Sequence, residues 1–129
     1  MNKLMLMLLG LTLIGCASAP SQEEMANADY GSYQSPENCV LVAESKIRST
    51  LKDPSSAQFS HGRCYQGYWS SVPILGMKAA FGYMQQGTVN AKNSYGGYVG
   101  ARSYNALIQN GYVVRYCVAN NDGLCMATN

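Results

Sequence analysis

The sequence predicts a small α+β domain: one N-terminal amphipathic helix packed on an antiparallel sheet of three to five strands and stapled by disulfides. Three observations lead there. Apolar residues recur at helical spacing between Ser35 and Pro54, aromatic and β-branched runs separated by turn residues follow Pro54, and Cys39, Cys64, Cys117 and Cys125 lie along the same stretch. The totals set bounds on function. With 129 residues, 12 % of them charged and 47 % hydrophobic, the chain suits one domain and is too apolar for a disordered polyampholyte. A net charge of +2 leaves no nucleic-acid footprint. Ten tyrosines beside two phenylalanines and one tryptophan point to a half-wet surface.

The beginning of the chain indicates its compartment. Lys3 precedes a mostly apolar run over residues 4–14. That run is shorter than the roughly 20 residues a bilayer-spanning helix needs, and it fits the apolar part of a secretory signal. It closes on Leu13-Ile14-Gly15-Cys16, which resembles the lipobox of bacterial lipoproteins. The resemblance implies a signal peptide over 1–15, a diacylglycerol on the Cys16 thiol and a further palmitate-type chain on its freed amine. Ala17, rather than an aspartate, after the cysteine implies delivery to the bacterial outer membrane. The alternative is an ordinary secretory signal cut near Ala17-Ser18-Ala19. In either case the mature chain meets an oxidising compartment, so Cys39, Cys64, Cys117 and Cys125 are expected to form disulfides. Four cysteines allow three pairings; loop-closure entropy favours Cys117 with Cys125, which leaves Cys39 with Cys64.

Residues 16–36 read as a lipid-anchored flexible tether, small and polar, and the domain as 37–129. Ser35 suits a helix N-cap, Pro36 the first helical position and Glu37 the first turn. Val40, Ala43, Ile47 and Leu51 make the apolar stripe, Glu44 and Arg48 an i,i+4 pair, and Pro54 the stop. A short strand over 57–60 then leads into a turn at His61-Gly62, and a second strand covers 64–69. Residues 70–77 read as a loop because of Pro73 and Gly76, with Ile74 and Leu75 expected to pack on the domain's own core. Longer strands are expected over 80–90 and 98–108. Asn110-Gly111 is the strongest hairpin signal in the chain; it places Ile108 on the side of Val113 and Ala106 on that of Arg115. Both faces of that hairpin are partly apolar, so the pattern leaves the core side open.

Two segments resemble a family of short bacterial envelope and prophage-type lipoproteins. The first is Leu51-Lys52-Asp53-Pro54-Ser55-Ser56-Ala57-Gln58-Phe59, similar to that family's LKDPxSAxF. The second, from Gly87-Thr88-Val89-Asn90-Ala91-Lys92-Asn93 through Ser94-Tyr95-Gly96-Gly97-Tyr98-Val99-Gly100, is similar to its CGxVNAKNxxGGYxG. Gln86 stands where the family has a cysteine, so its disulfide pattern does not transfer. The resemblance implies fold and location and carries no activity.

Chemistry is sparse. The single histidine, His61, reads as a solvated turn residue, and no C-x-x-C pair is present, so neither a metal nor a cofactor is expected. Glu37, Glu44, Asp53 and Asp122 offer no facing carboxylate pair for glycoside hydrolysis. An enzyme is not expected. The segment around Gly96-Gly97 reads as a bend between strands on which Lys92, Tyr95 and Tyr98 offer a cation and two amphipathic rings to a partner. The expected function is therefore a non-catalytic, lipid-anchored envelope protein binding an outer-membrane protein or the cell wall. Two alternatives stand beside it: a phage- or plasmid-encoded lipoprotein that masks an outer-membrane receptor against superinfection, and an accessory lipoprotein of a secretion apparatus.

Overall fold

The computed structural model of the chain describes residues 17–120 together with Gly123 and Cys125. The expected signal peptide (1–15) and the lipidation site Cys16 lie outside the described residues. The described chain is α+β: a four-stranded antiparallel sheet with two α-helices and two disulfides. Helix α1 spans Gln22–Ala26 and α2 spans Pro36–Arg48, so the longer helix is the second element. The strands are β1 (Gln58–Trp69), β2 (Ala80–Asn90), β3 (Arg102–Gln109) and β4 (Tyr112–Val118), paired in sequence order.

Ser35 caps α2 by accepting from the Asn38 amide at 3.2 Å, with Pro36 in the first turn. The helix ends at Arg48, well short of Pro54. The hydroxyls of Ser49 and Thr50 donate to the carbonyls of Lys46 and Ile47 at 2.6 and 2.7 Å, so local side chains take acceptors that a further turn would use. The buried stripe is Cys39, Ala43 and Ile47, with Val42 and Leu51 packed at its margin. Cys39 rather than Val40 lies at its start because its sulfur is bonded to Cys64 on β1. Against this stripe pack Val89, Tyr104, Ala106 and Ile108, which identifies the core side of β3.

The strands correct two expectations. Residues 58–69 form one strand, and His61-Gly62 is a bulge within it rather than a turn: pairing to β2 shifts register between His61 and Cys64. The Gln85 side-chain amide holds the bulge by donating to the Gly62 carbonyl at 2.9 Å. In the hairpin, Asn110 and Gly111 have φ of 52° and 82°, as a primed two-residue turn requires, and Ile108 pairs with Val113. A second irregularity then follows between Leu107 and Ile108. It sets Arg115 opposite Leu107 and Tyr116 opposite Ala106, reversing the sides expected for both.

Residues 17–36 differ most from the expected tether. Ser18 and Ser71 exchange backbone hydrogen bonds at 2.9 and 3.1 Å. Tyr30 meets Phe81 edge-on, and Tyr33 meets Tyr83 in the same way. The Ser32 backbone amide donates to Asn110 Oδ1 at 2.9 Å, and the Gln109 side-chain Nε2 donates to the Asp29 carbonyl at 3.0 Å. Gly31 makes the crossing possible: its φ is 75°, and a Cβ there would meet Asn110 Oδ1 at 2.8 Å. The segment's polar composition conceals this docking, which rests on two aromatic rings and backbone pairing.

The up-and-down order gives the sheet two distinct ends. One carries the β1–β2 loop (70–79), the Asn110-Gly111 turn and the incoming Ser18. The other carries the β2–β3 bend (91–101) and the end of α2. The 11 residues of β2 join the two, a span of roughly 35 Å.

Candidate functional site

The bend between β2 and β3 is built by its asparagines. Asn93 Oδ1 accepts from the amides of Tyr95 and Gly97 at 3.0 and 3.2 Å, and Asn90 Oδ1 accepts from the Gly100 amide at 3.1 Å. Gly96 has a φ of 79°, which closes the turn. Ser56 then fastens the bend to the turn after α2. Its hydroxyl accepts from the Lys92 amide at 2.8 Å, and its carbonyl accepts from the Tyr98 hydroxyl at 3.1 Å. The two segments singled out in the sequence are therefore in direct contact, and their serines, asparagines and glycines hold one local structure.

The structure places the three expected partner-binding residues differently. Lys92 Nζ lies 5.5 Å from the centre of the Tyr98 ring, and Tyr98 is also held by Ser56. Tyr95 stands apart at the tip, 97 % exposed. Beside the bend is a groove of about 460 Å³, with an apolar floor that includes Leu51, Val89 and Val99. Lys52, Lys92, Arg102 and Tyr95 also line it, and no acidic residue is among the described residues lining it. The arrangement suits recognition: an aromatic tip and three cationic side chains beside apolar surface, on a base fixed by side-chain hydrogen bonds.

The four cysteines pair as Cys39–Cys64 and Cys117–Cys125, with Cα separations of 6.3 and 5.5 Å. Cys39–Cys64 joins α2 to β1, and Cys117–Cys125 ties Cys125 to β4. Cys16 is not among the described residues.

Sequence reasoning missed one polar cluster. His61, read as a solvated turn residue, sits on β1 with its side chain 23 % exposed. Its Nε2 is 3.0 Å from Glu44 Oε2 on α2, and its Nδ1 is 2.7 Å from the Tyr104 hydroxyl on β3. Glu44 also accepts from Arg48 at 2.5 and 3.0 Å, and Arg48 lies over the Phe59 ring. These hydrogen bonds, the Arg48 ones first, hold the Glu44 carboxyl below its ordinary range against a smaller opposing effect of burial. Burial pushes the Tyr104 hydroxyl up to about 12, so it remains a donor at neutral pH. Both ring nitrogens of His61 are engaged inside the fold, which makes the cluster a polar clasp between helix and sheet. The alternation of Phe59 and His61 and the Glu44/Arg48 spacing are visible in the sequence; their meeting is not.

The β1–β2 loop also departs from expectation. Val72 and Met77 exchange backbone hydrogen bonds at 2.9 and 3.1 Å, closing a tight 3-10 turn, Pro73–Leu75, ended by left-handed Gly76. Ile74 and Leu75 stand at its tip, 77 % and 69 % exposed, and do not pack on the core. The closed turn is too short to fold them back.

Comparison with protein-family models, curated proteins and solved structures finds no match.

Proposed function

We propose that this chain is a non-catalytic, lipid-anchored protein of the bacterial outer membrane that binds another envelope component, an outer-membrane protein or the cell wall. The observation that carries the binding role is the exposed bend at residues 92–98, where Tyr95 and the lysines Lys52 and Lys92 line an apolar groove. A carboxylate-bearing segment fits that chemistry, its charge meeting the lysines and its apolar part the floor. The lipobox-like Leu13-Ile14-Gly15-Cys16 supports the anchor, and the two disulfides suit an oxidising compartment.

The test is a photo-crosslinking residue in place of Tyr95 in intact cells, with the same residue at exposed Leu41 on α2 as the control. A discrete adduct with an envelope protein or a wall fragment, formed from position 95 and reduced by Lys52→Ala with Lys92→Ala, is the expected result. Equal, diffuse labelling from both positions would refute the binding role. The anchor has its own test: a Cys16→Ser variant is expected to stay unprocessed and to take up no labelled acyl chain.

A further inference from the structure

We propose that the apolar tip of the β1–β2 loop, Ile74 and Leu75, inserts into the lipid surface beside the acylated N-terminus and fixes how the domain stands on the membrane. The inference rests on the lipid-anchor reading and adds a second, independent membrane contact. Its basis is a juxtaposition that the fold creates. Ser18 is backbone-paired with Ser71, one residue before the closed turn that carries the exposed Ile74 and Leu75. Only two peptide units separate Ser18 from Cys16, a reach of at most about 7 Å. Acyl chains on Cys16 therefore enter the bilayer next to this tip, and the tip is the only part of the loop that presents large aliphatic side chains to solvent among the described residues.

The surroundings match a membrane interface. Lys78 is exposed in the same loop and suits anionic headgroups. Tyr68 and Trp69 end β1 just above the loop, at the level where amphipathic aromatic rings favour the boundary between headgroups and acyl chains. The Val72 and Met77 backbone pairing keeps the tip rigid, so its insertion does not require the loop to be ordered first. Among the described residues no helix is long and apolar enough to cross a membrane, which leaves surface insertion as the geometry open to this loop. The competing occupant, a second copy of the chain docking tip to tip, would set its acyl chains in the same place and is separated by the test.

The experiment uses the processed full chain, reconstituted in vesicles of phosphatidylethanolamine and phosphatidylglycerol with brominated acyl chains. In a Trp69→Phe background, which removes the single tryptophan, an Ile74→Trp substitution reports on the tip and a Tyr95→Trp substitution on the opposite end of the sheet. The tip reporter is expected to be blue-shifted and quenched about twofold or more, with the Tyr95→Trp reporter unquenched. Adding Leu75→Ser is expected to reduce tip quenching while the protein still floats with the vesicles. Mass measurement of the same preparation decides acylation separately. An acylated, vesicle-bound chain with an unquenched tip overturns the inference and leaves the anchor reading intact. A quenched tip on an unacylated chain refutes the anchor and overturns the inference with it, and an unacylated, unquenched chain refutes both. A tip that is blue-shifted equally without vesicles shows contact between copies and overturns the lipid assignment.

Discussion

Gly87 has no side chain because Tyr104 occupies the place where one would be. A Cβ at Gly87 would lie 2.6 Å from Tyr104 Cε1 and would also collide with the Ser60 carbonyl oxygen. Neither neighbour can yield: Tyr104 is 1 % exposed, and Ser60 is paired within the sheet. Gly87→Ala is expected to destabilise the domain by about 3 kcal/mol, read as a lower urea midpoint at unchanged m. Tyr104→Phe leaves His61 Nδ1 without its donor and is expected to cost about 1 kcal/mol. Glu44 gives the same cluster a pH dependence. Its folded-state pKa lies below the 4.5 of an unperturbed glutamate, so its contribution is present above about pH 4.5 and is lost as pH falls through the folded value. Thermal unfolding is therefore expected to show a steeper loss of Tm below about pH 4.5 in the parent than in Glu44→Gln.

At the scale of elements, one disulfide and the His61 clasp do the same job at two heights of α2. Cys39–Cys64 ties the first turns of α2 to β1, and Glu44 with His61 ties its later turns to the same strand. Closing 25 residues of chain corresponds to about 3.5 kcal/mol, and closing 8 to about 2.5. Replacing Cys39 and Cys64 by serine is thus expected to lower stability more than replacing Cys117 and Cys125. Thiol alkylation without reductant, followed by mass measurement, is expected to find all four oxidised in the parent. Much of this level was legible beforehand. Ser35 and Pro36 mark the helix start, Asn110-Gly111 the hairpin, and closure entropy the Cys117–Cys125 pair, because each is set by residues close in sequence; Cys39 with Cys64 follows by elimination. The helix end was misjudged because Pro54 is conspicuous, whereas the hydroxyls of Ser49 and Thr50 act earlier and more quietly. The two bulges escaped notice because an extra residue in a strand leaves no mark on composition while reversing every later side. The bend at 92–98 was visible through its glycines and asparagines, but the groove beside it depends on Leu51 and Val89 meeting across the fold.

The whole molecule is polar in the architectural sense. The incoming chain and the Ile74 and Leu75 tip occupy one end, and the groove with Lys52, Lys92 and Tyr95 occupies the other. The proposed anchor and the proposed binding surface are thereby held a strand's length apart. One contact that holds the N-terminal segment in this arrangement is made by Asn110, which turns the hairpin and also accepts the Ser32 amide. Asn110→Gly keeps the positive φ that the turn requires while removing that acceptor. It is expected to leave the hairpin intact and to raise amide hydrogen exchange over residues 29–34 more than over β3 and β4.

The pairing of this segment with the hairpin also orders events in time. Asp29 and Ser32 are bonded to residues 80 and 78 positions further along the chain. In synthesis from the N-terminus the early segment is made long before its partners are, so it waits unpaired while the rest of the chain arrives. Contacts of such separation carry the largest closure entropy and form late. In refolding, docking of residues 17–34 is expected as a final phase, slower than formation of the sheet and abolished by deleting that segment. The fold thus sets its earliest-made segment in place last.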